Sequence, residues 1–145
     1  MNPRDGRATL AALRTALEAR PEVLEAYLFG SLARGEAGEM SDVDVAVFLD
    51  EQRSIAERGR LLLELTAELM SRLGRNDVDV VALNDAPPLL YHRVLRDGER
   101  LLARDLLATT RREGQALSRY CDWVPQLAKI EAAHRRRMAA GEFGR

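Results

Sequence analysis

Three short, largely apolar runs, the last of them β-branched and each separated from the next by at least a dozen residues, constrain the fold of this chain more than any other feature. They are Val23 to Phe29, stopped by Gly30-Ser31, Val43 to Leu49, which runs to Asp50, and Val78 to Leu83. Runs of this length and content read as strands. Between and around them the periodicity changes. Leu10, Leu13 and Leu17 recur at helical spacing with Pro21 just beyond, so residues 7–19 read as an amphipathic helix. Residues 54–73 place Ile55, Leu62, Leu65, Leu69 and Leu73 three, four or seven apart, and Gly74 stands where a C-terminal cap belongs. The polar stretch Ala33 to Ser41 contains two glycines and no periodicity, which marks a loop. Pro87-Pro88 opens a short helix to about Arg96, closed by Asp97-Gly98, and Glu99 to Ala103 fits a fourth strand. Asp105 then caps a long helical segment that Pro125 interrupts. Alternation of this kind implies an α/β or α+β domain, a small mixed sheet flanked by helices. The expected organisation is a domain over residues 1–104 and a C-terminal helical extension over 105–145, within one compact unit.

At 145 residues the chain can bury roughly two-thirds of its unfolded surface and needs no staples. The one cysteine, Cys121, cannot form an internal disulfide and reads as a packed small residue; no Cys/His cluster has zinc spacing. No apolar run approaches a membrane span and the N-terminus lacks a signal-peptide core, so the protein is expected in the cytoplasm. Residues 1–103 carry 13 Lys+Arg against 18 Asp+Glu, and residues 104–145 carry 9 against 5. A near-neutral total argues against direct DNA binding, and Arg135, Arg136 and Arg137 suit a solvated helix face.

The chemistry concentrates in residues 30–50. Gly30 lets a phosphate approach the backbone closely, and the Ser31 hydroxyl beside exposed N–H groups can hydrogen-bond its oxygens. Asp42 and Asp44 straddle Val43, and strand side chains alternate, so both carboxylates project from one face and can share a cation. Mg²⁺, a hard oxygen-seeking ion that accompanies nucleoside triphosphates, is the natural one. Asp79 lies between Val78 and Val80; a carboxylate buried there would cost several kcal/mol unless paired or coordinated. Pairing its strand beside that of Asp44 would bring three carboxylates together, as in-line displacement at phosphorus needs. Asp77 lies on the same face and competes for the third place.

Gly30-Ser31, ten intervening residues, then Asp42-x-Asp44, with Asp79 as third carboxylate, resembles the signature of the polymerase-β-like nucleotidyltransferase superfamily. Arg34-Gly35, the SDVDVAVFL strand and the segment from Pro87 to Asp105 are similar to the minimal nucleotidyltransferases, the MntA-like antitoxins. The likeness covers roughly residues 8–105. It implies the nucleotidyltransferase fold, with Asp42, Asp44 and Asp79 as catalytic metal ligands and Gly30, Ser31 and Arg34 at the nucleotide. It further implies an antitoxin that, with Mg²⁺, transfers AMP from ATP to a tyrosine of a HEPN-domain ribonuclease toxin. Larger relatives carry additional substrate domains, for which this chain has no length, and a protein acceptor supplied in trans fits that economy. Rival readings are an aminoglycoside-like or RNA acceptor, for which homodimerisation could supply a second wall, and a non-catalytic antitoxin acting by binding alone. Oligomerisation with itself or with the toxin stays open.

Other residues read as structural. Ser41 caps the strand entry, and Arg34 serves either triphosphate charge or a surface ion pair with Glu36 or Glu39. His92 and His134 read as partly buried or surface residues; Tyr120 and Trp123, with Leu117 and Leu127, form a packing stripe that could also dock a partner. Glu22, Glu25 and the other scattered acids are expected to face solvent.

Overall fold

A computed structural model describes residues 3–33 and 42–141. In order the elements are α1 (Pro3–Glu18), β1 (Val23–Phe29), a single turn α2 (Gly30–Ala33), β2 (Val43–Leu49), α3 (Ile55–Leu73), β3 (Val78–Ala82), α4 (Pro88–Asp97), β4 (Glu99–Ala103) and α5 (Leu106–Ala139). The strands form one mixed sheet in the order β3-β2-β1-β4, with β2 and β3 parallel and β1 antiparallel to both neighbours. The expected α+β class and its mixed sheet are thus present. Most of the loop reading at Ala33 to Ser41, together with Arg34 and Ser41, falls outside the described residues.

Strand alternation divides the core. On one face Val43, Val45, Val47, Val78 and Val80 pack with Leu13 and Leu17 of α1 and Leu65 and Leu69 of α3. Burial of each such leucine contributes about 1.5–3 kcal/mol, which is why the leucine spacing in residues 54–73 makes a helix here. Its ends are set locally. Ser54 accepts the Glu57 N–H at 3.1 Å, and Gly74 closes the helix at φ +62°, a left-handed conformation that suits glycine. Ile55, at the head of the same stripe, is exposed.

The opposite face packs Tyr27, Ala46, Phe48 and Leu83 against Tyr91 and Val94 of α4 and Ala116 of α5. Here the expectation for Glu25 fails, because it is fully buried. Its Oε1 accepts Thr109 Oγ1 at 3.1 Å and Arg112 Nε at 2.5 Å, and its Oε2 accepts the Tyr27 hydroxyl at 3.1 Å. Arg112 also lies over the Phe48 ring, 4.6 Å from its centroid. Glu25 therefore anchors α5 to the middle of the sheet. His92 of α4 stacks on Tyr120 of α5 with ring centroids 3.7 Å apart, and Trp123 adjoins them. Leu117, assigned to that stripe, is instead exposed, because the buried positions of the helix follow Thr109 and Ala116.

Two other readings are corrected. Pro125 does not interrupt α5, which runs through it: proline removes one N–H from the ladder, and on this largely exposed helix the local loss is tolerated. Cys121 is exposed, not packed. Side chains complete the joints between elements. Arg104 donates to the carbonyls of Leu17, Glu18, Arg20 and Val23, closing the end of α1. Asn84 pairs with both backbone groups of Leu49, carrying the sheet ladder beyond β3. Among the described residues no helix is long and apolar enough to cross a membrane.

Glu25→Ala strands the Arg112 guanidinium beside a cavity, so it should lower the unfolding free energy by about 3 kcal/mol or more, measured by urea denaturation. An exposed acid, by contrast, would cost less than about 1 kcal/mol.

Candidate active site

The valines at positions 43, 45, 78 and 80 turn toward α1 and α3, so the residues between them turn the other way. Asp44 and Asp79 are direct partners in the parallel β2–β3 register, and Asp42 shares their face one pleat earlier. They lie where the strands begin, on the face that farther along is covered by α4 and α5. Asp79 is exposed, which corrects the expectation of a buried carboxylate. Its valine neighbours are buried because they belong to the other face, while its own face is open at this end of the sheet. Asp42 is exposed and Asp44 half-buried. The Asp44 carboxyl is pushed above the usual carboxylate range, first by burial and then by the charges of Asp79 and Asp42. The three acids therefore feel one another.

Gly30 completes the corner. β1 ends opposite Asp44, with Phe29 as its register partner, and the next residue turns into α2 with φ +76°. A Cβ placed on Gly30 would overlap the Asp44 Oδ2 atom. Glycine is required here twice over, for its conformation and for the room it leaves the carboxylate. Ser31 continues the same turn. Arg34 lies outside the described residues.

Asp77 is otherwise engaged. Arg75 Nε donates to its Oδ1 at 2.7 Å and Arg75 Nη2 to its Oδ2 at 2.6 Å, and this pair holds the Asp77 carboxyl below its ordinary range. Arg75 drew no attention in the sequence, where the pattern Arg-Asn-Asp after a helix cap looks like an ordinary connector. Among the described residues no three His, Cys, Asp or Glu side chains converge in ligating geometry. The donor chemistry nevertheless suits a hard divalent cation, since adjacent all-oxygen anions repel one another and one of them is already shifted toward its neutral form.

Residues 12–106 match the family model described as polymerase beta, nucleotidyltransferase. A protein of Methanocaldococcus jannaschii, provisionally named a protein adenylyltransferase, is 40% identical over 75 residues, which is 52% of this chain and 75% of that protein. The protein adenylyltransferase MntA of Shewanella oneidensis is 33% identical over 81 residues, 56% of this chain; the match spans only 55% of that relative. Among solved structures, a chain of a toxin–antitoxin complex with AMP-PNP superposes with a TM-score of 0.70 at 25% identity, covering 86% of this chain and 98% of that one. A chain from the complex of tri-AMPylated Shewanella oneidensis HEPN toxin with MNT antitoxin gives a TM-score of 0.67 at 23% identity, with 89% and 98% covered, a likeness of fold.

A carboxyl raised in the folded state disfavours its ionised form there, so Asp44 costs stability above the ordinary value of 3.8, and the cost vanishes as pH falls below it. Asp44→Asn should therefore raise the melting temperature of the metal-free protein by a few degrees at neutral pH. The gain should disappear near pH 3, as differential scanning calorimetry would show.

Proposed function

The chain belongs to the polymerase beta nucleotidyltransferase family, and within it we propose a protein adenylyltransferase that transfers AMP from ATP to a tyrosine hydroxyl of a HEPN-domain toxin and so acts as its antitoxin. The observation that carries this reading is the register pair Asp44–Asp79 on an open face, with Gly30 clearing the space beside it. Both relatives bear protein adenylyltransferase names, and the AMP-PNP complex supports ATP as the nucleotide. An ATP-dependent reaction of this kind belongs in the cytoplasm. Residues 1–104 would carry the chemistry, and residues 105–145 would form an extension anchored through Glu25.

Asp42, Asp44 and Asp79 would hold Mg²⁺, which supplies charge neutralisation at the phosphates and Lewis acidity toward the attacking and leaving oxygens. The turn at Gly30 offers backbone N–H groups to the β- and γ-phosphates, and the lack of a side chain lets them come close. Ser31 is assigned the same task from its place in the motif, and Arg34 the neutralisation of triphosphate charge. Asp79 would orient the acceptor hydroxyl and take its proton, a role that its exposure beside Asp44 supports. The tyrosine oxygen then bonds to the α-phosphorus, the bond from that phosphorus to the bridging oxygen breaks, and pyrophosphate departs. An acceptor carried on another protein needs an approach from solvent, and the exposure of Asp42 and Asp79 provides it.

Changing both Asp42 and Asp44 to Ala should lower AMP transfer from labelled ATP to co-expressed toxin by about a thousandfold or more, and toxin neutralisation should be lost with it. Full neutralisation by this variant would instead establish binding alone as the mechanism. Gly30→Ala, strained at φ +76°, should lower the unfolding free energy by about 1–2 kcal/mol and reduce transfer by the chain that remains folded by about a hundredfold, because its Cβ displaces the Asp44 carboxylate.

A further inference from the structure

The register that sets Asp44 beside Asp79 also sets Asp42 beside Asp77. Val43 pairs with Val78, and the Val43 N–H donates to the Asp77 carbonyl at 2.9 Å. Residues two apart share a face, so four carboxylates stand in a two-by-two array across the start of β2 and β3. Among the described residues one corner carries a protein cation, the Arg75 fork on both oxygens of Asp77. Arg75 is itself fixed by the cap of α3, where its N–H donates to the Met70 carbonyl at 3.1 Å. Asp42 adds to the field that favours its charge. The two ends of the array thus differ: Asp77 is neutralised by a neighbour, and Asp44 is repelled by its neighbours.

We propose that Arg75 is a positioning residue that withholds Asp77 from the divalent-cation set, so that Asp42, Asp44 and Asp79 alone define where the ion sits. This rests on the nucleotidyl-transfer reading above. Mg²⁺ accepts few carboxylates and near-octahedral geometry, keeping its remaining positions for water and phosphate oxygens. A free Asp77, about 6.6 Å back along the strand from Asp79, would draw the ion away from the reacting phosphate. Two parallel charge-assisted hydrogen bonds leave Asp77 little capacity to ligate, a task for which the planar guanidinium is suited and an ammonium is not.

The test uses the full chain and Mn²⁺ as probe, titrated calorimetrically without nucleotide, alongside AMP transfer from labelled ATP to the toxin. With Arg75 present, Asp79→Asn should weaken Mn²⁺ binding by about tenfold or more, and Asp77→Asn by less than about threefold. In the Arg75→Ala background the dependence moves: Mn²⁺ binding tolerates Asp79→Asn and becomes sensitive to Asp77→Asn. AMP transfer by Arg75→Ala falls by about tenfold or more, and adding Asp77→Asn restores most of it. Arg75→Lys, which keeps the charge without the fork, should fall between; it and Arg75→Gln carry the same comparison if Arg75→Ala does not fold. Loss of Mn²⁺ binding in Asp77→Asn alone, or a double variant no better than Arg75→Ala, overturns the proposal. A wild-type chain that transfers no AMP while the Mn²⁺ dependence still switches would sink the functional reading and leave this one standing.

Discussion

Parallel pairing of β2 with β3 puts Asp44 and Asp79 in adjacent pleats of neighbouring strands, and like charges so placed repel. The register survives because the opposite face holds it. Val43, Val45, Val47, Val78 and Val80 are all buried against α1 and α3, and a slip of one residue would carry them into water and the aspartates into the core. Hydrophobic burial on one side of the sheet thereby sustains an electrostatic conflict on the other. On the reading proposed above, a divalent cation held between the two strands would relieve that conflict.

The two faces do different work. The side covered by α1 and α3 is a conventional apolar layer. The side covered by α4 and α5 is mixed, with Glu25 paired to Arg112 and the Tyr91 hydroxyl buried without a partner among the described residues, burial pushing that hydroxyl's pKa up to about 12. A buried ion pair adds little net stability over an apolar pair, yet it penalises any other seating of α5, since misplacement strands a charge. The long helix is thereby held against β1, an inner strand of the sheet, while Asp42 and Asp79 on the same face are exposed.

Close approach of backbone to carboxylate is the third element of the arrangement. Gly30 follows directly on β1, whose pairing with β2 brings Phe29 opposite Asp44. The turn and the acid are therefore positioned by the same ladder, and the positive φ at Gly30 turns the chain from β1 into α2 beside the Asp44 carboxylate.

Local chemistry was written plainly in the chain. Strand bounds at Val23–Phe29 and Val43–Leu49, the caps at Ser54 and Gly74, and the shared face of Asp42 and Asp44 all follow from neighbours a few residues apart, where periodicity and capping act. What the sequence could not show depends on partners far along it. Glu25 looked like a solvated acid because Arg112, which neutralises it, lies 87 residues away. Asp79 looked buried because its valine neighbours are, and only the packing of helices against one face of β3 shows that they and the aspartate face opposite ways. Between Asp77 and Asp79 the alternation is silent, since both share a face; the β2–β3 register and the Arg75 fork distinguish them. The amino-acid order by itself determined which elements form and which acids are available, because those are short-range effects. Tertiary structure decided which charges meet, which are neutralised and which stay open to solvent, because those depend on distances between residues that only folding brings together.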